Sequence, residues 1–290
     1  MLQYVAFLDG FFLGTPPDYW NNFPRVLSNK QDAEAQAASI DATWQVTDRF
    51  QITGGFRYTN EEKAWAGRPM RQFFDGQPLL EILDQPLDAT DFERFPEGVV
   101  YDNEDWTEPT YRLIFGYDFS EDTYGFAGYS RGFKSGGYND QLGTQLDPIT
   151  PLAARPTDPE IADSFEGGVK HTFANGAATV SVNAYYVEYT DAQRTFNVSF
   201  PGGGQETLFF NAAELDVKGV EAEGAWAVTQ DFTLTYNVSW MDAEFGKFEA
   251  DTNYDGEIDV DLSGQPVTRA PEWMGSVEGT YIMPFLDRYN

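Results

Sequence analysis

The sequence predicts an all-β fold of up-and-down antiparallel strands, of the kind that forms a transmembrane barrel. Three observations predict it. Hydrophobicity alternates with a period of two, connections alternate between short and long, and aromatic residues crowd the short-turn ends. Successive side chains of a strand point to opposite faces, so this alternation describes strands with one apolar and one polar face.

Ten strands are expected, in order. The first, about 2–12, is the apolar N-terminal stretch, and the second spans about 33–46. In the second, Ile40, Ala42, Trp44 and Val46 oppose Ser39, Asp41, Thr43 and Gln45. The third, 50–63, sets Phe50, Ile52, Phe56 and Tyr58 against Gln51, Thr53, Gly55, Arg57 and Thr59. The fourth and fifth, 106–119 and 123–134, flank the short link 120–122. The sixth and seventh, 161–173 and 178–198, flank 174–177; in the seventh, Val180, Val182, Ala184 and Tyr186 oppose Thr179, Ser181, Asn183 and Tyr185. The eighth, 207–226, precedes the ninth, 231–245, where Phe232, Leu234, Tyr236, Val238 and Trp240 share one face. The tenth is 270–283.

Short links at 47–49, 120–122, 174–177 and 227–230 alternate with long polar ones at about 13–32, 64–105, 135–160 and 246–269. That pattern places tight turns at one end of the sheet and excursions at the other. Trp44, Phe50, Phe119, Tyr124, Phe173, Trp226, Phe232, Tyr281 and Phe285 gather at the tight-turn end. A soluble sandwich has little use for such a ring, whereas aromatic girdles flank the apolar band of outer-membrane barrels. Strands this long also exceed the usual five or six residues of soluble sheets.

Composition narrows the function. The chain has 290 residues and a net charge of −29, so a nucleic-acid partner is excluded by repulsion. Hydrophobic residues make up 41%, and no apolar run of about eighteen residues suggests a membrane-spanning helix. Cysteine is absent, which removes disulfides and thiolate chemistry, and His171 is the single histidine. The first residues lack the basic region and cleavage pattern of a signal peptide.

Several stretches resemble the C-terminal barrel of TonB-dependent receptors, the iron-complex receptors of Gram-negative outer membranes. They are YGFAGYSRGFKSGGYN at 124–139, Pro159-Glu160 followed by SFEGGVK at 164–170, and NAYYVEYTDAQ at 183–193. GVEAE at 219–223 and Ala270-Pro271 continue the series in order. The resemblance implies a barrel of about twenty-two strands, of which about ten are read here. Residues 1–290 are therefore expected to be a partial barrel domain, without the family's plug domain or its terminal strands. It also implies an outer-membrane location, lipid contact, a ferric chelate or other small ligand, and coupling to the inner-membrane TonB complex through the missing plug.

Candidate ligand-binding residues are Tyr19, Trp20, Trp65, Arg68, Arg71, Phe73 and Phe74, on the two longest N-terminal loops. Aromatic rings with arginines suit an anionic, aromatic ferric chelate through stacking and charge; the alternative is that these loops pack on themselves. Arg131 joins them as one of a set with Arg57, Arg112, Glu166, Lys170, Glu221, Glu223 and Glu278 that is expected to face the lumen. These charges either line a path for the chelate or pair laterally to stiffen the wall. Asp251, Asn253, Asp255, Glu257 and Asp259 follow the first half of an EF-hand-type calcium loop, with Gly256 at the turn. Leu262 stands where the bidentate Glu belongs, so the expectation is a weak calcium site on an external loop or a solvated acidic tip.

The leading function is energy-coupled uptake of a ferric siderophore or similar metal chelate, with no enzymatic activity. The alternatives are a porin-like passive barrel and an omptin-type surface protease. The protease needs a histidine at the external rim, and His171 belongs to the opposite end.

Overall fold

The computed structural model describes residues 3–7, 25–72, 100–139, 156–199, 205–250, 257–258 and 260–283. They form one antiparallel sheet. Its strands are β1 (Gln3–Phe7), β2 (Arg25–Gln45), β3 (Phe50–Gln72), β4 (Val100–Ser120), β5 (Thr123–Lys134), β6 (Glu160–Phe173), β7 (Ala178–Ser199), β8 (Gln205–Ala227), β9 (Phe232–Ala250), β10 (Val260–Asp261) and β11 (Trp273–Tyr281). Neighbours in sequence are neighbours in space from β1 through β9, while β10 and β11 lie end to end along the outer edge of β9. All ten expected strands are present, and the two-residue β10 is an addition.

Register shows which residues share a face, because cross-strand partners point the same way. One row runs Trp44, Ile52, Phe115, Ala127, Gly167, Ala184, Val220, Trp240 and Trp273 across nine strands. The row nearer the turns runs Phe50, Tyr117, Gly125, Val169, Val182, Ala222, Val238 and Gly275. Every member of both rows lacks charge. Trp44, Ile40 and Trp273 on this face are at least 66% exposed, an arrangement suited to lipid rather than water. On most strands about five alternate positions are apolar, or roughly ten residues; tilted as barrel strands are, they cover a band about 25 Å tall.

The opposite face is polar. Its rows include Gln45, Gln51, Gly116, Phe126, Gly168, Asn183, Glu221 and Ser239, and Tyr124, Lys170, Ser181, Glu223, Asn237 and Ser276. Here Arg112 reaches across β3 to Asp41 on β2, with Nη2 2.7 Å and Nε 3.0 Å from Oδ2. Gly55 makes the crossing possible, since a Cβ there would stand 2.5 Å from that oxygen. The turns at the apolar end are tight. Ala174, Asn175 and Gly176 all take left-handed φ (54°, 56° and 88°), which brings β6 back onto β7.

A third outward row begins apolar and ends charged: Ile40, Phe56, Tyr111, Arg131, Asp163, Glu188, Asp216 and Glu244. It corrects the expectation for Arg131. This residue shares the outer face with Tyr111 and Tyr129, at the upper border of the apolar band, and pairs with Asp163 at 3.3 Å. At that border a long cation can keep its stem on apolar surface and its head among polar groups. Arg57, Arg112, Glu166, Lys170, Glu221, Glu223 and Glu278 do occupy the polar face.

Candidate functional site

Above the apolar band the strands continue as tall hairpins. β3 reaches Gln72 and β4 starts at Val100, so Trp65, Arg68 and Arg71 belong to a strand rather than a loop. β5 stops at Lys134 and β6 starts at Glu160, well below the tops of β4 and β7. Among the described residues the wall therefore steps down over two strands between these hairpins. Segments 135–139 and 156–159 fold over the inner face beside this step as a strap. Gly137 and Thr157 hold the two segments together: Thr157 N donates to Gly137 O at 2.8 Å, and Gly137 N donates to Thr157 Oγ1 at 2.9 Å.

On the β3–β4 side the strap is seated by Lys63. Its Nζ donates to Ser135 Oγ at 2.7 Å and Gly136 O at 2.6 Å, pairs with Glu61 at 2.9 Å, and stands 5.2 Å from the centre of the Trp106 ring. Ser135 Oγ in turn donates to Glu61 Oε1 at 2.7 Å. Burial raises the Glu61 pKa, but Lys63 and Ser135 outweigh it and hold the carboxyl below the ordinary carboxylate range. Tyr138 stacks on Trp65 with ring centroids 5.4 Å apart and meets Trp106 edge-on at 6.3 Å. Burial, then Asp102 and Glu104, push the Tyr138 phenol far above its usual pKa, so it stays neutral.

On the β7–β8 side the fastening is by amides. Gln193 Nε2 donates to Ser135 O at 3.0 Å and Asp158 O at 2.9 Å. Asn211 Nδ2 donates to Asp158 O and Asp191 O, and Asn139 exchanges hydrogen bonds with the Phe209 backbone. Asp191 has a left-handed φ of 52° at the bulge that turns Gln193 toward the strap. Beside these amides lies a small apolar core of Ala192, Ala213, Leu215, Phe248 and Ala250.

Of the expected ligand residues, Trp65 is 2% exposed and packed against Tyr138, so its ring is occupied within the chain. Arg68 and Arg71 pair in register with Ser28 and Val26. Tyr19, Trp20, Phe73, Phe74, Asp251, Asn253, Asp255 and Asp259 lie outside the described residues, and Glu257 is exposed. Lys63, Trp106 and Asn211 were not singled out from sequence, and Tyr138 and Gln193 stood there only as members of two family-like motifs, with no role assigned. The local signals were those two motifs and, within the first, Ser135-Gly136-Gly137, three small residues where a strand leaves the sheet.

The family described as TonB dependent receptor-like, beta-barrel, matches residues 2–290. The chain belongs to this family. Its relatives include the pesticin receptor of Yersinia enterocolitica, 26% identical over 213 residues, which cover 73% of this chain and 26% of the relative. The ferric yersiniabactin uptake receptor FyuA from Yersinia pestis has the same fold (TM-score 0.62, 21% identity), covering 90% of this chain and 33% of that one. So does the ferric-catecholate import receptor Fiu from E. coli K12 (TM-score 0.56, 14% identity), with 90% and 33% covered. The chain thus spans 26% of the length of the curated relatives it matches. In this TonB-dependent receptor barrel the apolar rows face the lipid of the Gram-negative outer membrane, the polar face forms the lumen wall, and the strap lies inside the external rim.

Proposed function

We propose that this chain is barrel wall of a receptor that takes up a ferric siderophore or similar metal chelate, driven by the inner-membrane TonB complex through a plug. The observation that carries this reading is a wall with apolar rows outside, polar rows inside and a braced external rim, in a chain matched to the receptor family over residues 2–290. Selective uptake needs such a rim, because a chelate is recognised before it is passed inward.

The reading is non-enzymatic. His171 sits on the outward face beside the turn at 174–177, its Nδ1 2.9 Å from Thr123 Oγ1, at the end of the sheet opposite the rim. An omptin-type protease would need it at the other end. A porin-like channel is disfavoured by the family match.

The test is uptake of radiolabelled ferric yersiniabactin and a ferric catecholate by cells whose only receptor is the full-length protein. Accumulation that needs TonB supports the reading, and TonB-independent diffusion of unrelated solutes would favour a porin. A weak calcium site at Asp251, Asn253, Asp255, Glu257 and Asp259 is proposed alongside it, on the EF-hand-like spacing. Calorimetry on the full receptor, comparing wild type with Asp251→Ala/Asp255→Ala, tests it; identical titrations would dismiss the site.

A further inference from the structure

On the lumen face of β2–β5, two neighbouring rows leave a cleft of about 320 Å³. The upper row is Ser39, Arg57 and Thr110, and the lower is Asp41, Gly55, Arg112 and Ser130. Arg57 and Arg112 are diagonal neighbours on adjacent strands, a separation of about 7–8 Å that long side chains span. Their surroundings differ. Arg112 is neutralised by Asp41 through Nη2 and Nε. Arg57 is exposed and has no carboxylate partner among the described residues. Its Nε donates to Thr59 Oγ1 at 3.1 Å, and Thr59 is 6% exposed, so the guanidinium is held by one edge. Both Nη groups are left without a protein acceptor among the described residues. Glu108, on the other diagonal from Arg57, shares the face but forms no ion pair with it. Of the two roles expected for the luminal charges, lateral pairing thus accounts for Arg112 and not for Arg57.

We propose that this cleft binds a small oxyanion, a carboxylate or a phosphate, between the Arg57 and Arg112 guanidinium groups. A guanidinium presents parallel N–H bonds at the spacing of two such oxygens. Arg57, Arg112 and Asp41 sum to one positive charge, which an oxyanion neutralises. Ser39, Thr110 and Ser130 line the same cleft and add hydroxyl donors. Phe56 and Tyr111 belong to the outward row, so no ring faces the cleft and it suits a compact anion over an aromatic one. The inference concerns the wall alone and holds whichever solute the receptor takes up.

Phenylglyoxal, which modifies unengaged arginines, tests it on the full-length receptor in detergent micelles, with mass spectrometry reading each arginine separately. Citrate and inorganic phosphate, titrated at constant ionic strength, are the probes. Both should slow the modification of Arg57 in a saturable way, while Arg49, exposed in the turn 47–49, keeps its rate. Asp41→Asn/Arg112→Gln removes one guanidinium without stranding its carboxylate. It should raise the citrate concentration that half-protects Arg57 roughly ten- to hundredfold. Glu108→Gln removes the competing carboxylate and should lower that concentration, which keeps the test open if the double variant fails to assemble. No protection of Arg57, equal slowing at Arg49, or an unchanged half-protecting concentration in the assembled variants would overturn the site.

Discussion

Trp65 on β3 and Tyr138 beyond the end of β5 stack with their ring planes 13° from parallel and their centroids 5.4 Å apart. This contact joins a tall external hairpin to the strap, and Trp106 closes its third side. Trp65→Ala should therefore loosen the strap before it loosens the barrel. Truncating a buried tryptophan costs about 3–5 kcal/mol. Near-ultraviolet circular dichroism should lose the Trp–Tyr signal, while far-ultraviolet sheet content and heat-modifiability on gels persist. A barrel that no longer assembles would show that the stack supports the whole wall.

Two adjacent glycines give a sharper contrast. A Cβ on Gly136 collides with backbone and indole, whereas nothing lies within 4 Å of one on Gly137. Gly136→Ala should lower the thermal midpoint by several degrees and Gly137→Ala should leave it unchanged, by differential scanning calorimetry of the full receptor. Equal shifts would mean that the strap is not seated as described.

Acid should release the clamp at Glu61. Its carboxyl titrates below its unfolded-state value, so its contribution is complete above the ordinary carboxylate range and disappears as pH falls through the lowered value. Hydrogen-exchange protection at 135–139, corrected for the intrinsic rate, should fall on acidification in wild type. In Glu61→Gln that loss should be absent. The same acid response in both proteins would place the titrating group elsewhere.

Outward and inward neighbours on β7 should differ in kind. Ala184 sits in the central apolar row, and Ser181 lies on the lumen face. Ala184→Arg is expected to destabilise the full receptor by about 2–4 kcal/mol in bilayers, the range for a cation near the midplane. Ser181→Arg should change stability far less. Denaturant titration in lipid vesicles measures both, and a reversed order would invert the assignment of the faces.

The strands were legible in sequence where lipid imposes a rule. From Trp44 to Ile40 and from Phe232 to Trp240 one face must be apolar, so the period of two is clear. Above the band that rule lapses. Asp102, Glu104 and Asp105 put charge on both faces of β4, and the alternation fades in β3 beyond Lys63, so both resembled loop there although they remain paired. Arg131 was misassigned because charge was taken as a mark of the lumen, whereas at the border of the band an arginine can sit outside beside Asp163. The strap was illegible for another reason. Its partners Lys63, Gln193 and Asn211 are distant in sequence, and only register brings them together.

The row from Ile40 to Glu244 has one more consequence. Its members are cross-strand partners all the way, yet one end is greasy and the other acidic. A flat water–lipid boundary must therefore cut the sheet obliquely, and the wall climbs through it like the thread of a screw. Residues that share a rung do not share a depth, so Phe56 and Asp216 meet different dielectrics at the same step of the ladder.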